Sequence, residues 1–301
     1  VAIGEWRELT DYRSATGEFS LVKAALGLAG FVPDTSTPAT GSLRETLSRF
    51  GGGLELTTLA AVPKGSGLGT SSIMGAVVLA VIHRALGREL SPRELFHGVL
   101  RLEQALTTGG GWQDQIGGAL DGVKLITTQP GLVPDPMVRF VPPDVLAPGA
   151  NGGQTLLYYT GITRLAKNIL AQVVARYLDR HGPTMATLRA IRALAPEIEE
   201  AMARKDLRAF GEGIERAWQL NKQLDPNSTN ESIEALLARV QPHLYGAKLL
   251  GAGGGGFLLM VARSPEDAAE VRRLLLSAPP NPRARFFDFD VSRQGLSVTV
   301  C

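Results

Sequence analysis

Apolar positions recur along this chain with two spacings, which predict helices in some segments and strands in others. Helices are expected where apolar residues recur every three or four positions, and strands where short apolar runs end at turn residues. The predicted helices cover residues 19–28, 42–50, 73–86, 92–107, 164–178, 184–205, 207–223, 231–240 and 265–277. The predicted strands cover residues 54–62, 123–127, 138–141, 155–159, 247–250, 257–262, 283–290 and 296–300. Because strands and helices come in blocks without strict alternation, the pattern predicts an α+β protein.

The segment from Gln129 to Gly153 is rich in proline and glycine and carries only one short predicted strand. Such composition is typical of a connection between domains. We therefore expect two domains, one over residues 1–150 and one over residues 151–301.

One stretch joins a predicted strand to an apolar helix and concentrates glycines and hydroxyls. Its residues are Pro63, Lys64, Gly65, Ser66, Gly67, Leu68, Gly69, Thr70, Ser71 and Ser72. Alternating glycines let a ligand approach the backbone, and the free N–H groups of a helix start favour a phosphate. The order of residues fits neither the Walker A loop nor the dinucleotide fingerprint. A phosphate-binding loop is predicted, with a plain tight turn as the alternative.

Two acidic residues, Glu103 and Asp114, flank the glycines that end the preceding helix. Near a phosphate, one carboxylate can hold Mg²⁺ and another can take a proton from an attacking hydroxyl. Because glycines separate them, a loop must bring the two together. The alternative is that Glu103 is a solvated helix residue and Asp114 a helix cap.

Two further segments carry candidate chemistry. Gly251 to Gly256 holds five glycines in six positions between two predicted strands, which indicates a close approach to the backbone or a flexible hairpin. Thr160 to Arg164 follows a strand and begins a helix. There Thr163 can cap the helix, and Arg164 can clamp a phosphate or lie on the surface.

Composition narrows the function classes. The chain has 301 residues, 44% of them hydrophobic and 20% charged, with a net charge of +2. It is long enough for two cores, and its charge gives no sign of a nucleic-acid or membrane partner. Four scattered histidines predict no metal cage, and no apolar run is long enough to span a bilayer. The single cysteine, Cys301, suits a reducing cytoplasm.

Taken in order, these segments resemble the GHMP small-molecule kinases. The family's phosphate loop, Pro-x-x-x-Gly-Leu-Gly-Ser-Ser, matches Pro63 to Ser71 with Thr70 for the first Ser. Its late glycine motif matches Lys248 to Phe257. The strings Leu-Glu-Gln (102–104), Thr-Thr-Gly-Gly-Gly-Trp-Gln-Asp-Gln (107–115) and Tyr-Thr-Gly-Ile-Thr-Arg-Leu-Ala (159–166) narrow the resemblance to the L-fucokinase branch. The similarity runs from about residue 43 to residue 262.

The resemblance implies a ribosomal-protein-S5-like N-terminal domain and a ferredoxin-like C-terminal domain, with ATP, Mg²⁺ and a sugar as ligands. It implies that residues 63–72 wrap the ATP phosphates and that Ser71 and Glu103 hold Mg²⁺. Asp114 would be the base that deprotonates the anomeric hydroxyl of L-fucose. Substrate contacts are expected from Gly110, Gly111, Gln113, Arg164, Gly253, Gly254 and Gly255.

One departure from the branch concerns the start of the chain. Fucokinases of this branch carry a Gly-Gly-Trp-x-Asp-Thr-Pro-like sugar-contact motif, which Gly4-Glu5-Trp6 does not match. Together with the initial Val1, this predicts that the chain begins inside the first domain. In many relatives a nucleotidyltransferase domain lies further upstream, so the resemblance implies such a fused domain as an expectation. A chain cut in this way is expected to bind ATP but to phosphorylate poorly or not at all. The alternatives are a D-glycero-D-manno-heptose 7-phosphate kinase, which shares the Gln-Asp-Gln pattern, and a non-catalytic sugar sensor.

Overall fold

Two units make up the part of the chain that the computed structural model describes, namely residues 1–13, 18–32, 42–63, 65–106, 111–162 and 167–300. Unit 1 comprises Val1–Ala61, Gly69–Leu120 and Gln294–Cys301, and unit 2 comprises Val62–Leu68 and Asp121–Arg293. This division differs from the expected boundary at residue 150. The strands between residues 123 and 141 bury apolar side chains against helices of unit 2, and they belong with that unit.

Unit 1 is built from helices. They are α1 (Trp6–Thr10), α2 (Ser20–Leu26), α3 (Leu43–Phe50), α4 (Thr70–Ala85), α5 (Pro92–Ala105) and α6 (Gln113–Gly117). Capping boxes at Ser42 and Ser91 begin α3 and α5. Gly51, with φ of 103°, ends α3, which confirms the predicted end of this helix at residue 50. The apolar faces of α2, α4 and α5 form one core around Leu79, Val99 and other buried side chains.

The strands predicted at residues 54–62 and 296–300 are wrong, because the described part of unit 1 contains no β-strand. Leu54 and Leu56 pack against the helical core, whereas Leu59 is 88% exposed, so the segment presents no continuous buried face. Leu296 likewise packs on the helical core, and its N–H donates to Ala119 O. Apolar content alone predicted these strands, and a strand also needs a paired neighbour.

Unit 2 contains two sheets and five α-helices in its described residues. The strands are β1 (Val123–Thr128), β2 (Pro136–Val141), β3 (Thr155–Tyr159), β4 (Leu244–Leu249), β5 (Phe257–Ala262) and β6 (Arg285–Phe287). The helices are α7 (Lys167–Leu178), α8 (Gly182–Ala203), α9 (Leu207–Leu224), α10 (Glu231–Val240) and α11 (Pro265–Ser277). β1 and β2 form a hairpin, and the other four strands form an antiparallel sheet in the order β4-β5-β3-β6.

The four-stranded sheet has the ferredoxin-like arrangement. Helices follow its first and third strands in chain order, giving βαββαβ, and the last strand lies beside the first. The α+β prediction and the ferredoxin-like prediction for this region are therefore confirmed. Every second side chain of β3 and β5 lies on one face of the sheet and packs against α10 and α11. Trp218 and Tyr158 are buried in this core.

The remaining apolar positions of this sheet anchor the start of the glycine-rich loop. Leu157, Tyr159 and Phe257 form a cluster on which Val62 and Leu68 pack. The segment Val62–Leu68 is thus held to unit 2 by ordinary apolar burial as well as by the backbone contacts described below.

Candidate active site

The N-terminus of α4 is the centre of the site in unit 1. Gly69 caps the helix with φ of 66°, a left-handed conformation that glycine adopts without strain, and Thr70 begins the helix. The first turn of a helix leaves N–H groups free of intrahelical partners and carries the positive end of the helix dipole. Ser71 is exposed at this turn and Ser72 is buried. The arrangement fits an anionic ligand such as a phosphate.

Glu103 on α5 is buried, with 8% of its surface exposed, and both of its carboxylate oxygens accept hydrogen bonds. Oε1 accepts from the Ser72 hydroxyl at 2.5 Å, and Oε2 accepts from the Gln115 amide at 2.6 Å. The alternative of a solvated helix residue is therefore wrong for Glu103. Its carboxylate joins the start of α4 to α6.

Asp114 lies in the first turn of α6, with its carboxyl carbon 3.1 Å from where a Cβ on Gly69 would stand. The side chain is open to solvent on one side, while the packing around it withdraws the carboxyl from water. This desolvation raises the pKa of Asp114 above its ordinary value of 3.8. A carboxylate of raised pKa beside a phosphate-binding turn is suited to accept a proton from a hydroxyl.

The oxygen donors at this turn fit a magnesium ion. Within the described ranges, no group of three or more His, Cys, Asp or Glu side chains is arranged to hold a metal. Mg²⁺ needs no such cage, because it usually binds one or two carboxylates together with phosphate oxygens and water. The predicted metal pair was Ser71 and Glu103, but the hydroxyl that contacts Glu103 is that of Ser72. A metal role for Ser71 stays a prediction.

The first half of the loop packs within unit 2 against the second glycine cluster. A Cβ on Gly67 would overlap Leu250 O, and a Cβ on Gly256 would overlap Ser66 O. The Phe257 N–H donates to Ser66 O at 3.0 Å. Gly65, Gly67 and Gly256 all have positive φ, so close packing and backbone conformation both require glycine.

Other members of the cluster at residues 251–256 also meet backbone. A Cβ on Gly253 would overlap Ser228 O, and a Cβ on Gly255 would lie 2.5 Å from Ile162 O. The Gly254 N–H donates to Ser228 O. A close approach to these glycines was predicted, and the segments that approach are parts of the chain itself. Substrate contacts by Gly253, Gly254 and Gly255 remain predictions.

The Thr160–Gly161–Ile162 segment joins the same cluster. The Thr160 hydroxyl and backbone N–H both donate to Gly256 O at 2.9 Å, and Thr160 is fully buried. The Gly256 N–H donates in turn to Ile162 O, and the Asn281 amide donates to Thr160 O. This part of the predicted motif therefore fixes the sheet end to the glycine cluster. Arg164 and Thr163, like Lys64 and Gly110, lie outside the described residues.

Two predicted substrate contacts lie beside Asp114. Gly111 and Gln113 are exposed, and the Gln113 amide folds against Gly111. The Gly111 carbonyl accepts from the Gln115 amide at 3.0 Å. Their exposure at α6 is compatible with a ligand contact, which stays a prediction.

Sequence reasoning missed two features of the site in unit 1 and one desolvated lysine in unit 2. The partner of Glu103 is Ser72, whose position next to Ser71 gave no separate signal. Gln115 stood in the quoted Gln-Asp-Gln string but received no role. Lys248, at the end of β4, is surrounded so closely that desolvation lowers its pKa to about 8. Its charge, isolated within an apolar strand, was the available signal.

Sequence comparisons identify both units. Residues 38–122 match the GHMP kinases N terminal domain, and residues 198–280 match the GHMP kinases C terminal domain. The chain belongs to the GHMP kinase family. The phosphate loop, Glu103 and Asp114 all lie within the first match, and the glycine cluster at 251–256 lies within the second.

Several GHMP kinase relatives are similar to this chain. It is 43% identical over 297 residues to an L-fucokinase/L-fucose-1-P guanylyltransferase of Bacteroides fragilis, covering 99% of this chain and 31% of that protein. A bifunctional fucokinase/GDP-fucose pyrophosphorylase of Arabidopsis thaliana is 38% identical over 260 residues, covering 85% and 23%. A D-glycero-alpha-D-manno-heptose 7-phosphate kinase of Campylobacter jejuni is 26% identical over 209 residues, covering 67% and 59%. The chain thus spans less than a third of the length of the first two relatives.

Solved structures of GHMP kinases share the fold. Galactokinase from Lactococcus lactis with bound galactose has a TM-score of 0.63 at 16% identity, covering 95% of this chain and 78% of that one. Mevalonate kinase from Methanococcus jannaschii has a TM-score of 0.61 at 16% identity, covering 96% and 80%. Among the described residues, every helix is too short or too polar to traverse a lipid bilayer.

Proposed function

We propose that this protein is an ATP-dependent sugar kinase that transfers the γ-phosphate to the anomeric hydroxyl of L-fucose. The observation that carries the chemistry is the Asp114 carboxyl packed on Gly69, at the turn that begins α4. The observation that carries the sugar is the 43% identity over 99% of the chain to a fucokinase-named relative.

The backbone would supply most of the nucleotide binding. The N–H groups in the first turn of α4 would donate to ATP phosphate oxygens, and the helix dipole would favour their charge. Gly65 and Gly67, with φ of 72° and 79°, leave their own segment of the loop free of side chains. The hydroxyls of Thr70 and Ser71, at the start of the helix, are further candidate donors.

Glu103 and Ser72 are the residues that would hold Mg²⁺, with Ser71 as a further oxygen donor at the same turn. When bound, Mg²⁺ neutralises charge on the transferred phosphoryl group. The hydrogen bonds on both oxygens of Glu103 hold its carboxylate in one orientation. A carboxylate has room for further partners, because its two oxygens offer about four lone-pair sites.

Asp114 would accept the proton of the attacking sugar hydroxyl. Its position beside Gly69, at the proposed phosphate site, supports this role, and its raised pKa makes it a better proton acceptor than an ordinary aspartate. The proton moves to Asp114 as the hydroxyl oxygen bonds to phosphorus and the bond to the ADP oxygen breaks.

Two alternative functions are less well supported than an L-fucose kinase. A heptose 7-phosphate kinase is disfavoured by the lower identity, 26% against 43%. A non-catalytic sugar sensor is disfavoured because binding alone needs neither the Glu103 network nor a base at Asp114. A cytoplasmic location and a fused upstream nucleotidyltransferase domain stay predictions from the resemblance.

The substitution Asp114→Asn tests the proposal. It preserves the shape of the side chain and removes the base, so in the full-length protein turnover of L-fucose with Mg²⁺ and ATP should fall by about 10²-fold or more while ATP affinity changes little. Turnover would be followed by ADP release and ATP binding by calorimetry, with Asp121→Asn as a control acid outside the site. A variant that turns over L-fucose at the parent rate would disprove the base. Preference for a phosphorylated heptose in the parent would disprove the substrate.

A further inference from the structure

We propose that Gln115 is a positioning residue, which holds Glu103 in the orientation required to bind the metal ion and fixes Asp114 against the phosphate-binding turn. The inference rests on the proposed function, in which Glu103 holds Mg²⁺ and Asp114 is the base. Gln115 itself need touch neither ATP nor sugar.

Burial and hydrogen bonding single out this amide. Gln115 is 1% exposed, whereas Gln113 and Asp114 on the same short helix are exposed. Its Nε2 donates to Glu103 Oε2 at 2.6 Å and to Gly111 O at 3.0 Å. Both partners of Nε2 are acceptors, so the hydrogen bonds define which end of the amide is the donor. The Gln115 side chain thereby joins α6 to Glu103 on α5 and to Gly111, two residues before α6 begins.

The Glu103 carboxylate is held from two directions. Ser72 on α4 donates to one oxygen and Gln115 on α6 to the other, so rotation of the carboxylate would break both bonds. Loss of a residue that orients a metal-binding carboxylate in this way typically weakens metal binding about 10- to 100-fold.

The environment of the oxygen of the same amide, Gln115 Oε1, also supports a functional role for Gln115. Gln115 Oε1 is buried and has no hydrogen-bond partner in the part of the chain that the structure describes. A buried acceptor without a partner disfavours folding. An apolar side chain of similar length would fill the position without that penalty, but it would leave Glu103 without its second donor. The donor function therefore explains an amide that packing does not.

The sequence order couples the two proposed roles. Asp114 precedes Gln115 in a five-residue helix, so the bond to Glu103 fixes the helix on which Asp114 stands. Asp114 in turn packs against Gly69, which caps α4, and Ser72 in the first turn of α4 donates to Glu103. Loss of the Gln115 bond is thus expected to disturb metal binding first and the base second.

The experiment measures metal binding directly, in the full chain, alongside activity. Gln115→Met removes the donor and nearly preserves the volume. The control is Asn151→Leu, because Asn151 is an amide that donates to Val145 O at 2.9 Å and Thr155 Oγ1 at 2.7 Å within unit 2. Binding of Mn²⁺ in the presence of ATP is followed by electron paramagnetic resonance. We expect Gln115→Met to weaken it about 10- to 100-fold, and Asn151→Leu to leave it unchanged.

Activity adds a second signature. The Mg²⁺ concentration for half-maximal turnover should rise in Gln115→Met by a similar factor, with a smaller fall in kcat at saturating Mg²⁺. If circular dichroism shows that Gln115→Met does not fold, Gln115→Asn serves in its place. It keeps an amide but withdraws the donor by one methylene, and it should weaken Mn²⁺ binding in the same direction.

Two results would overturn the inference. One is that folded Gln115 variants bind Mn²⁺ with the affinity of the parent. This result would overturn the inference even if the variants lose as much thermal stability as Asn151→Leu does. The other is a parent protein that binds no Mn²⁺ with ATP. A parent that binds Mn²⁺ and ATP but does not phosphorylate L-fucose would refute the proposed function alone, since the role of Gln115 is judged by the metal.

Discussion

Lys248 offers a quantitative test of how unit 2 tolerates a charge at the end of a buried strand. Desolvation lowers the pKa of Lys248 from its ordinary value of 10.5 to about 8. Its ammonium donates to Leu249 O at 3.0 Å, and Asn221 on α9 offers a side-chain oxygen at 3.1 Å when its amide donates to Ala217 O. These acceptors offset only part of the lost hydration, and no carboxylate partner is found for this ammonium among the described residues.

The direction of the pH effect follows from the two pKa values. Between the folded pKa and the unfolded pKa, the unfolded chain binds a proton that the folded chain does not, so the free energy of unfolding rises with pH. Raising the pH from about 7 to about 10 should add about 2.5 kcal/mol through Lys248 alone. Below the folded pKa the ammonium is charged in both states, and its full desolvation cost applies.

The perturbation is Lys248→Met, which fills the same space without a charge. Other groups also titrate over this range, so the informative quantity is the difference between variant and parent. The variant's advantage in free energy of unfolding should shrink by about 2.5 kcal/mol from about pH 7 to about pH 10, whatever offset the lost hydrogen bonds introduce.

Urea unfolding followed by Trp218 fluorescence is the assay, because Trp218 is buried in the same core as β4. Trp6 and Trp112 are replaced by Phe in both proteins so that only Trp218 reports. A difference between variant and parent that stays constant with pH would refute the argument, since it would mean that Lys248 keeps an ordinary pKa in the folded state.

Two further predictions concern the glycine loop and Asp114. Gly67→Ala should destabilise unit 2 by about 2 kcal/mol more than Gly153→Ala. Both positions have similar positive φ, but only a Cβ at Gly67 would overlap a backbone atom, Leu250 O. Equal losses of stability in urea unfolding would contradict this packing explanation. For the parent enzyme, kcat/KM for L-fucose should fall as the pH is lowered through the raised pKa of Asp114. The pKa read from the acid side of this pH profile should therefore lie above 3.8. A value at or below 3.8 would exclude the desolvated carboxyl as the base.

Local signals predicted most elements of the fold because those elements are determined locally. Capping boxes at Ser42 and Ser91 and the left-handed Gly51 define helix ends without help from distant residues. The segments at 54–62 and 296–300 were predicted as strands from composition. A strand depends on what lies beside it, and the sequence of the segment alone does not contain that information.

The site was predictable in its residue types and less so in its contacts. The position of Asp114 next to the phosphate loop followed only from the family resemblance, because eleven residues and a glycine break separate it from Glu103. The partner of Glu103 could not be derived, since Ser71 and Ser72 are chemically identical and only the rotation of α4 decides which one is buried. The glycines at 251–256 indicated close approach but not that Ser66, Ser228 and Ile162 would be the approaching groups.

The contact between Ser66 and Phe257 also bears on how the protein is made. It closes a loop of about 190 residues. The entropic cost of this closure must be met before the contact contributes any stabilising free energy. A ribosome adding roughly 5–20 residues per second needs about 10–40 s to proceed from one partner to the other. Throughout that interval the nascent segment Gly65–Leu68 lacks the carbonyl and amide groups that fix its backbone. Order in the first half of the phosphate loop is therefore a late event of biosynthesis, however early α4 forms.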